Sequence, residues 1–316
     1  MFPLANYGGT CYINATLQCM FNDKYFKHFL EQHQQHQQHQ QQHTSTLTLE
    51  LAKQYKTDNM KCILQLLQAK MQKQLGNIYM QNDMHEFFIL LIDYLHDECK
   101  VKVIEENEKE NSSSSSSSEL FLSSEWNKYH KYYTSLVIQI YYGQMLSQIQ
   151  CSSCMKYHHN TEIFTELFLH TKCENGAENN VYDLLVDYFN GETIHDWICS
   201  YCNTKHQTVK KEFRITKYPL TLVLIIKRHN ENISAPIRLV RELNLPESMH
   251  IYTGEIQYTL NAFSSHYGSI AHGGHYIAHV FNKDVLHRID DDIITVENES
   301  SSSSRFNNTY MLFYCL

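Results

Sequence analysis

No stretch of this sequence is apolar enough to cross a membrane as a helix. The longest apolar runs, 87–92 and 220–226, fall far below the roughly 20 residues that a span requires. A secretory leader is not expected either, because Met1-Phe2-Pro3-Leu4 leaves no room for an apolar segment. Positive charge is scarce: 26 Lys and Arg stand against 34 Asp and Glu, a formal net charge of −8. That balance argues against a general nucleic-acid binder and suits a basic partner. Without an export signal, the ten cysteines of this 316-residue chain do not read as a disulfide framework. They point to a reducing compartment, cytosol or nucleus. What remains, 42% hydrophobic and 12% aromatic residues, can bury a sizeable core as one large domain or two small ones.

One of those cysteines has a particular setting. In Asn6-Tyr7-Gly8-Gly9-Thr10-Cys11-Tyr12-Ile13-Asn14-Ala15-Thr16-Leu17-Gln18 a thiol follows a Gly-Gly turn. Ile13, Leu17, Met20 and Phe21 recur at helical spacing, which predicts a helix over 12–29 with one buried face. At a helix N-terminus the macrodipole favours thiolate over thiol. Gly8 and Gly9 would allow a tight turn and keep N–H groups free to meet a substrate oxygen. Taken alone, Cys11 would be a small buried hydrophobe. The far end of the chain changes that reading. His272-Gly273-Gly274-His275 leads into 276–281, which carries the β-branched and aromatic residues of a strand. Asp290, Asp291 and Asp292 follow after an apparent hairpin, so a carboxylate can return beside His275. Cysteine, then histidine, then aspartate, far apart in sequence, is the chain order of papain-like thiol proteases.

Between these ends the chain is uneven. Residues 33–43 repeat His and Gln; histidines three and four apart could share a helical face and hold a metal, but the composition reads better as a low-complexity insertion over about 31–59. Residues 60–75 and 83–96 read as helices, the second with Phe87, Leu90, Leu91, Tyr94 and Leu95 on one face. Asp83 and Glu86 are spaced as an acidic capping box. The stretch 105–124 combines glutamates with serines 112–118 and reads as a flexible insertion. Strands are expected over 137–149, 160–170, 209–215, 220–226 and 256–263, with a short helix over 181–189. Cys151-Ser152-Ser153-Cys154 and Cys199-Ser200-Tyr201-Cys202 each suit the knuckle of a strand hairpin. Together they offer four soft thiolates for a tetrahedral Zn²⁺, and two redox disulfides are the competing reading. Such a zinc would be structural, since four cysteines leave no open coordination position. Cys173 and His195 lie nearby without the paired spacing.

The motifs resemble those of the ubiquitin-specific proteases. Residues 6–18 are similar to that family's cysteine box and 273–280 to its histidine box. Tyr79-Met80-Gln81-Asn82-Asp83-Met84-His85-Glu86-Phe87 resembles its Gln-Gln-Asp-x-x-Glu-Phe segment. Residues 181–189, 218–229 and 308–314 resemble further family segments, in family order across almost the whole chain. The departures are small: Gly9 and Ala15 in the cysteine box, Met84 and His85 in the middle segment, and His229 where phenylalanine is usual. The resemblance implies an α+β, papain-like cysteine protease fold. Its parts would be a helical thumb (1–104), the insertion (105–125), zinc-ribbon β fingers with the start of the palm (126–228) and a β palm (229–316). It implies cleavage after the C-terminal glycine of ubiquitin, with ubiquitin and ubiquitinated proteins as partners, no nucleic acid or membrane, and room for an activating protein. By the same resemblance Cys11 is the nucleophile, His275 the base and Asp290 its partner, with Asp291 the alternative. Asn6 would donate to the oxyanion, and Gln81, Asp83, Glu86, Gly273, Gly274 and Tyr276 would line the substrate path. Cys151, Cys154, Cys199 and Cys202 would be the zinc ligands. A protease for another ubiquitin-like modifier, a silent ubiquitin-binding adaptor and a bare zinc-ribbon interaction module are the rival readings.

Overall fold

The computed structural model describes residues 2–40, 46–54, 60–102, 125–128, 132–171, 179–227, 237–245, 249, 256–269, 273–297, 305–306 and 308–316. Apart from His33, the metal reading of the histidine tract falls on side chains that are not described, and Cys173, His229 and almost all of the Glu/Ser stretch lie outside these residues. Helix α1 (Cys11–Asn22) is buried from Cys11 to Phe21, so it is an interior helix and not the one-faced helix expected. The run expected over 12–29 is in fact broken at Asp23, whose backbone is extended. Its carboxylate accepts the Tyr25 N–H (2.8 Å) and the Thr221 hydroxyl (2.6 Å), capping a new helix α2 (Lys24–Gln40). Within the stretch read as an insertion, α2 therefore continues to Gln40 and α3 (Leu47–Gln54) follows. Leu47, Leu51 and Ala52 of α3 are buried, and Glu98 accepts the first N–H groups at Leu47 and Thr48. Helices α4 (Met60–Leu75) and α5 (Met84–Cys99) complete this layer.

The next elements are β1 (Val101–Lys102), β2 (Tyr133–Thr134), α6 (Leu136–Tyr141), β3 (Gly143–Gln150), β4 (Tyr157–Phe164), β5 (Leu167–His170), β6 (Asn179–Asn180) and α7 (Val181–Phe189). The strand expected over 137–149 is thus a helix followed by a strand. The Ser135 hydroxyl accepts the Ile138 N–H and starts the helical turn that apolar content alone conceals. Strands β7 (Glu192–Ile198), β8 (Lys205–Lys217), β9 (Thr221–Lys227), β10 (Ile237–Arg238), β11 (Glu242–Leu245), β12 (Ile256–Ser269), β13 (Gly273–Asn282), β14 (Val285–Asp290), β15 (Ile293–Val296), β16 (Arg305–Phe306) and β17 (Thr309–Cys315) follow. The largest sheet has the order β15-β14-β13-β12-β17-β9-β5, with β11 also on β12. A four-stranded sheet, β4-β3-β8-β7, stands apart from it.

The large sheet divides two cores. Alternate residues of a strand face opposite sides, and β9 is buried on both. Val223 and Ile225 join α1, α5 and the other helices in one core, whereas Leu222, Leu224 and Ile226 join α7 in the second. Met311 and Phe313 of β17 face the first core, and Leu312 and Tyr314 the second. The first core fixes α1 against β13, and so sets the N-terminus of α1 beside the start of that strand.

Candidate active site

Cys11 begins α1 and is buried, 3% exposed. No side chain caps the helix at Thr10, so the positive end of the helix dipole lies at the thiol. The preceding loop is tied by its own side chains. Asn6 Oδ1 accepts the Thr10 N–H (3.2 Å), and Thr10 Oγ1 accepts the Tyr7 N–H (2.9 Å). The glycine pair acts differently from expectation. The Gly9 N–H is not free; it donates to the Tyr79 carbonyl at 2.7 Å. A Cβ on Gly9 would stand 2.5 Å from the Gln81 nitrogen, so the glycine permits close contact between two loops.

His275 reaches the same place from β13. The turn between β13 and β14 has positive φ at Lys283 and Asp284, the backbone of a two-residue hairpin loop. The resulting register pairs Ala278 with Ile289; one step further, Asp290 faces residue 277. His275 is then its diagonal neighbour on the same face. His275 Nε2 lies 2.5 Å from Asp290 Oδ1, and 4.0 Å from Asp291 Oδ2. This leaves Nδ1 for the thiol. A hydrogen bond with Cys11 is the first cause that raises His275 to about 9; burial opposes it, and Asp290 adds to it. Burial works against the Asp290 carboxylate too, but the bonds from His275 and Arg288 outweigh it and hold it below the usual range. Arg288 Nη2 donates to Asp290 Oδ2 at 2.7 Å.

Asp291 has its own task. In left-handed backbone (φ 54), it accepts the Asn6 amide at 2.8 Å on one oxygen and the Asn14 amide at 2.8 Å on the other. Its carbonyl also takes the Leu4 N–H at 3.2 Å. It therefore clamps the loop before Cys11 to the end of β14.

The opposite wall comes from the segment before α5. Gln81 bonds the Gly274 backbone twice, giving its Nε2–H to the carbonyl (2.9 Å) and taking the N–H on Oε1 (3.1 Å). Asp83 caps α5 through the His85 and Glu86 N–H groups. Its other oxygen accepts the Tyr310 hydroxyl at 2.6 Å and the Tyr276 hydroxyl at 3.5 Å. Burial, with Asp83 second, pushes both phenols well up, so they remain donors. Glu86 is exposed in the first turn. Cys11, Gln81, Asn82, Asp83, His266, Gly274 and Tyr276 enclose a narrow cleft of about 130 Å³. Arg288, Asn14, His266 and Tyr310 are site residues that the sequence motifs do not single out. Arg288 carried a signal, because residues two apart on a strand share a face. Asn14 carried one as well, lying three residues along the helix from Cys11.

The four cysteines occupy the hairpin knuckles, as their spacing predicts. Cys151 and Cys154 lie in the β3–β4 turn, and Cys199 and Cys202 in the β7–β8 turn. Their sulfurs lie within 4.8 Å of one another, and Cys151–Cys202 and Cys154–Cys199 are each 3.7 Å apart. A tetrahedron with zinc–sulfur bonds of about 2.3 Å has an edge of about 3.8 Å, so the donor set fits a zinc ion. All four are free thiols, which sets aside the paired disulfides.

Comparison with known proteins agrees with this geometry. Residues 2–314 match the family model described as ubiquitin carboxyl-terminal hydrolase. The chain belongs to the ubiquitin carboxyl-terminal hydrolase family. Relatives include ubiquitin carboxyl-terminal hydrolase Usp2 of Drosophila melanogaster, 26% identical across 98% of this chain and 34% of its own length. Human ubiquitin carboxyl-terminal hydrolase 2 is 28% identical, across 98% of this chain and 54% of its own length. This family member thus spans about a third to a half of those two relatives. A chain of the SAGA Ubp8/Sgf11/Sus1/Sgf73 DUB module bound to ubiquitin aldehyde shares the fold at a TM-score of 0.72. It is 20% identical and is covered over 69% of its length, against 100% of this chain. The fold is accordingly the α+β, papain-like fold of this hydrolase family, and among the described residues no helix is long and apolar enough to cross a membrane.

Proposed function

We propose that the protein is a cysteine-type deubiquitinase that hydrolyses the isopeptide or peptide bond after the C-terminal glycine of ubiquitin. The observation that carries this reading is His275, bonded to Asp290 through Nε2 and raised chiefly by its interaction with Cys11, the residue that begins α1 and lines a narrow cleft. His275, raised to about 9, takes the Cys11 proton or already holds it, and so activates the sulfur as nucleophile. The thiolate attacks the glycine carbonyl. Asn6 has two amide hydrogens; Asp291 takes one, and the other is available to the oxyanion together with the Cys11 N–H. His275 passes its Nδ1 proton to the leaving amine, and a thioester to Cys11 remains. Water, deprotonated by His275, cleaves the thioester and restores the starting state. Asp290 keeps the ring oriented throughout and offsets its charge.

Gln81, Gly273, Gly274, Tyr276, Asp83 and Glu86 form the path for a slender Gly-Gly tail in this reading. The support is mechanical for Gln81, which sets Gly274 across the cleft from Cys11. For Glu86 it is an exposed carboxylate suited to a basic tail. Helices α1–α5 would be the thumb, the four-stranded knuckle sheet the fingers, and the large sheet the palm. A reducing compartment, cytosol or nucleus, suits nine described cysteines that are all free. The test is release of a fluorogenic amide from the ubiquitin C-terminus by the native protein and by Cys11→Ala, beside the same amide of another ubiquitin-like modifier. Turnover by the native protein on ubiquitin alone is expected. Turnover confined to the other modifier would replace the substrate, and ubiquitin binding without turnover would favour an adaptor or an enzyme that awaits an activator.

A further inference from the structure

The two metal knuckles are related to each other more closely than a pair of Cys-x-x-Cys motifs requires. Cys151-Ser152-x-Cys154-x-x-x-His158 and Cys199-Ser200-x-Cys202-x-x-x-His206 match at four positions, the histidines included. Their backbones repeat as well. The Cys151 N–H donates to the Lys156 carbonyl (2.9 Å) and the Cys199 N–H to that of Thr204 (3.0 Å). The Met155 and Asn203 N–H groups return to Cys151 and Cys199, both at 2.8 Å, and both residues have positive φ. Strands β3 and β8 pair antiparallel at the centre of the sheet, so the two hairpins lie side by side.

Each histidine reaches across to the opposite knuckle. His158 Nε2 lies 3.3 Å from Cys199 Sγ, and His206 Nε2 lies 3.3 Å from Cys151 Sγ. Their other nitrogens face the serines of the opposite knuckle: His158 Nδ1 to Ser200 Oγ at 3.5 Å, His206 Nδ1 to Ser152 Oγ at 3.3 Å. We propose that His158 and His206 are paired positioning residues for the knuckle metal, each donating its Nε2–H to the buried thiolate of the opposite knuckle. The chemistry selects donation over ligation. Four sulfurs already complete a tetrahedron, and a nitrogen 3.3 Å from sulfur is at hydrogen-bond distance. Cys151 and Cys199 are the two buried sulfurs, whereas Cys154 is partly exposed and Cys202 exposed, so the imidazoles serve the pair that water serves least. Zinc with four thiolates carries a formal charge of −2, and N–H groups aimed at sulfur offset part of it while holding the ligand in place. The serine hydroxyl completes the device. By donating to Nδ1 it keeps the proton on Nε2, so each ring has one tautomer that satisfies both neighbours. Trp197 holds the pair in place, with ring centroids 4.8 Å from His158 and 5.6 Å from His206.

The experiment uses the full chain with zinc, and with Co²⁺ exchanged for zinc as a spectroscopic probe. Replacing both histidines by phenylalanine should weaken zinc retention against a competing chelator by about 10–100-fold. It should also move the sulfur-to-cobalt charge-transfer band to lower energy. Glutamine at both positions, which keeps an N–H donor, should recover part of both effects. If the phenylalanine variant does not fold, nitrogen NMR of the native imidazoles decides: both rings should be Nε2–H tautomers, and Ser152→Ala with Ser200→Ala should erode that preference. Wild-type zinc retention and an unmoved band in the phenylalanine variant would overturn the proposal, leaving the rings as packing for Trp197. So would Nδ1–H tautomers, a cobalt spectrum with fewer than four sulfurs, or a native protein that binds no zinc. Ubiquitin hydrolysis plays no part in these readouts, so they stand or fall separately from the proposed activity.

Discussion

At the scale of single residues, the site is governed by which carboxylate holds what. Asp290 sits 2.5 Å from the imidazole and is itself braced by Arg288, whereas Asp291 is turned toward Asn6 and Asn14. Two separable predictions follow from that division. Cys11→Ala should let the His275 titration fall from about 9 toward 6.5, because the thiol bond is the first cause of its rise; imidazole NMR reads this directly. The sign for stability follows: a raised histidine stabilises the fold fully below about pH 6.5, and that contribution disappears as pH rises through about 9. A Cys11→Ala protein should accordingly lose stability relative to the native one only below the upper end of that range. Asp291→Ala should reduce kcat by about 10²-fold with a smaller change in KM, since it releases the Asn6 amide that the proposed mechanism directs to the oxyanion. Glycine at the same position separates the alternatives. It tolerates the left-handed backbone, so restored turnover in Asp291→Gly would show that Asp291 matters only as a turn residue. As candidates, Cys11 and His275 are legible in the sequence because each lies in a compact local motif, whereas Asp290 is preferred to Asp291 there only by the family resemblance. The Asp291 clamp is not legible, because its partners lie 277 and 285 positions away and nothing local distinguishes it from Asp290.

At the scale of elements, the outcome turned on side chains that start and stop helices. Asp83 reads as a helix cap in the sequence and is one, and α7 matches its expected bounds. Asp23 and Ser135 do the same work, but inside apolar runs where periodicity hides them; this is why one expected helix is two, and one expected strand is a helix and a strand. The loop before α1 is the element with least tolerance. Gly9 lies against the 79–81 loop so closely that a methyl would meet backbone atoms of Met80 and Gln81 at 2.6 and 2.5 Å. Gly9→Ala should destabilise the protein by about 1–3 kcal/mol in urea unfolding. It should also slow turnover, because the same loop carries Asn6 and the same neighbour carries Gln81. An unfolding midpoint equal to the native one would mean that the two loops separate without loss.

For the molecule as a whole, the decisive relation is between the knuckle sheet and the two cores. The large sheet is covered on both faces, and its central strands β9, β12 and β17 feed both cores. The knuckle sheet contributes to the second core only near its base, through Met145, Phe164 and Ile215, while its far ends expose Met155, Tyr157, Ile198 and Tyr201. Burial cannot hold those ends together, so the metal site must, in the way small domains without a core depend on metals. The spacing of the cysteines made this legible in advance; the contributions of His158 and His206 became visible only once the hairpins faced each other. Removing the metal with a chelator at neutral pH should therefore unfold the molecule from one end. Amide exchange should accelerate at 150–157 and 198–206, while β9, β12 and β17 stay protected. Turnover of a fluorogenic ubiquitin amide should fall mainly through KM, because the Cys11 cleft is built on α1 and β13 and not on the knuckles. Loss of protection throughout the large sheet would instead show that the knuckles and the cores unfold as one unit.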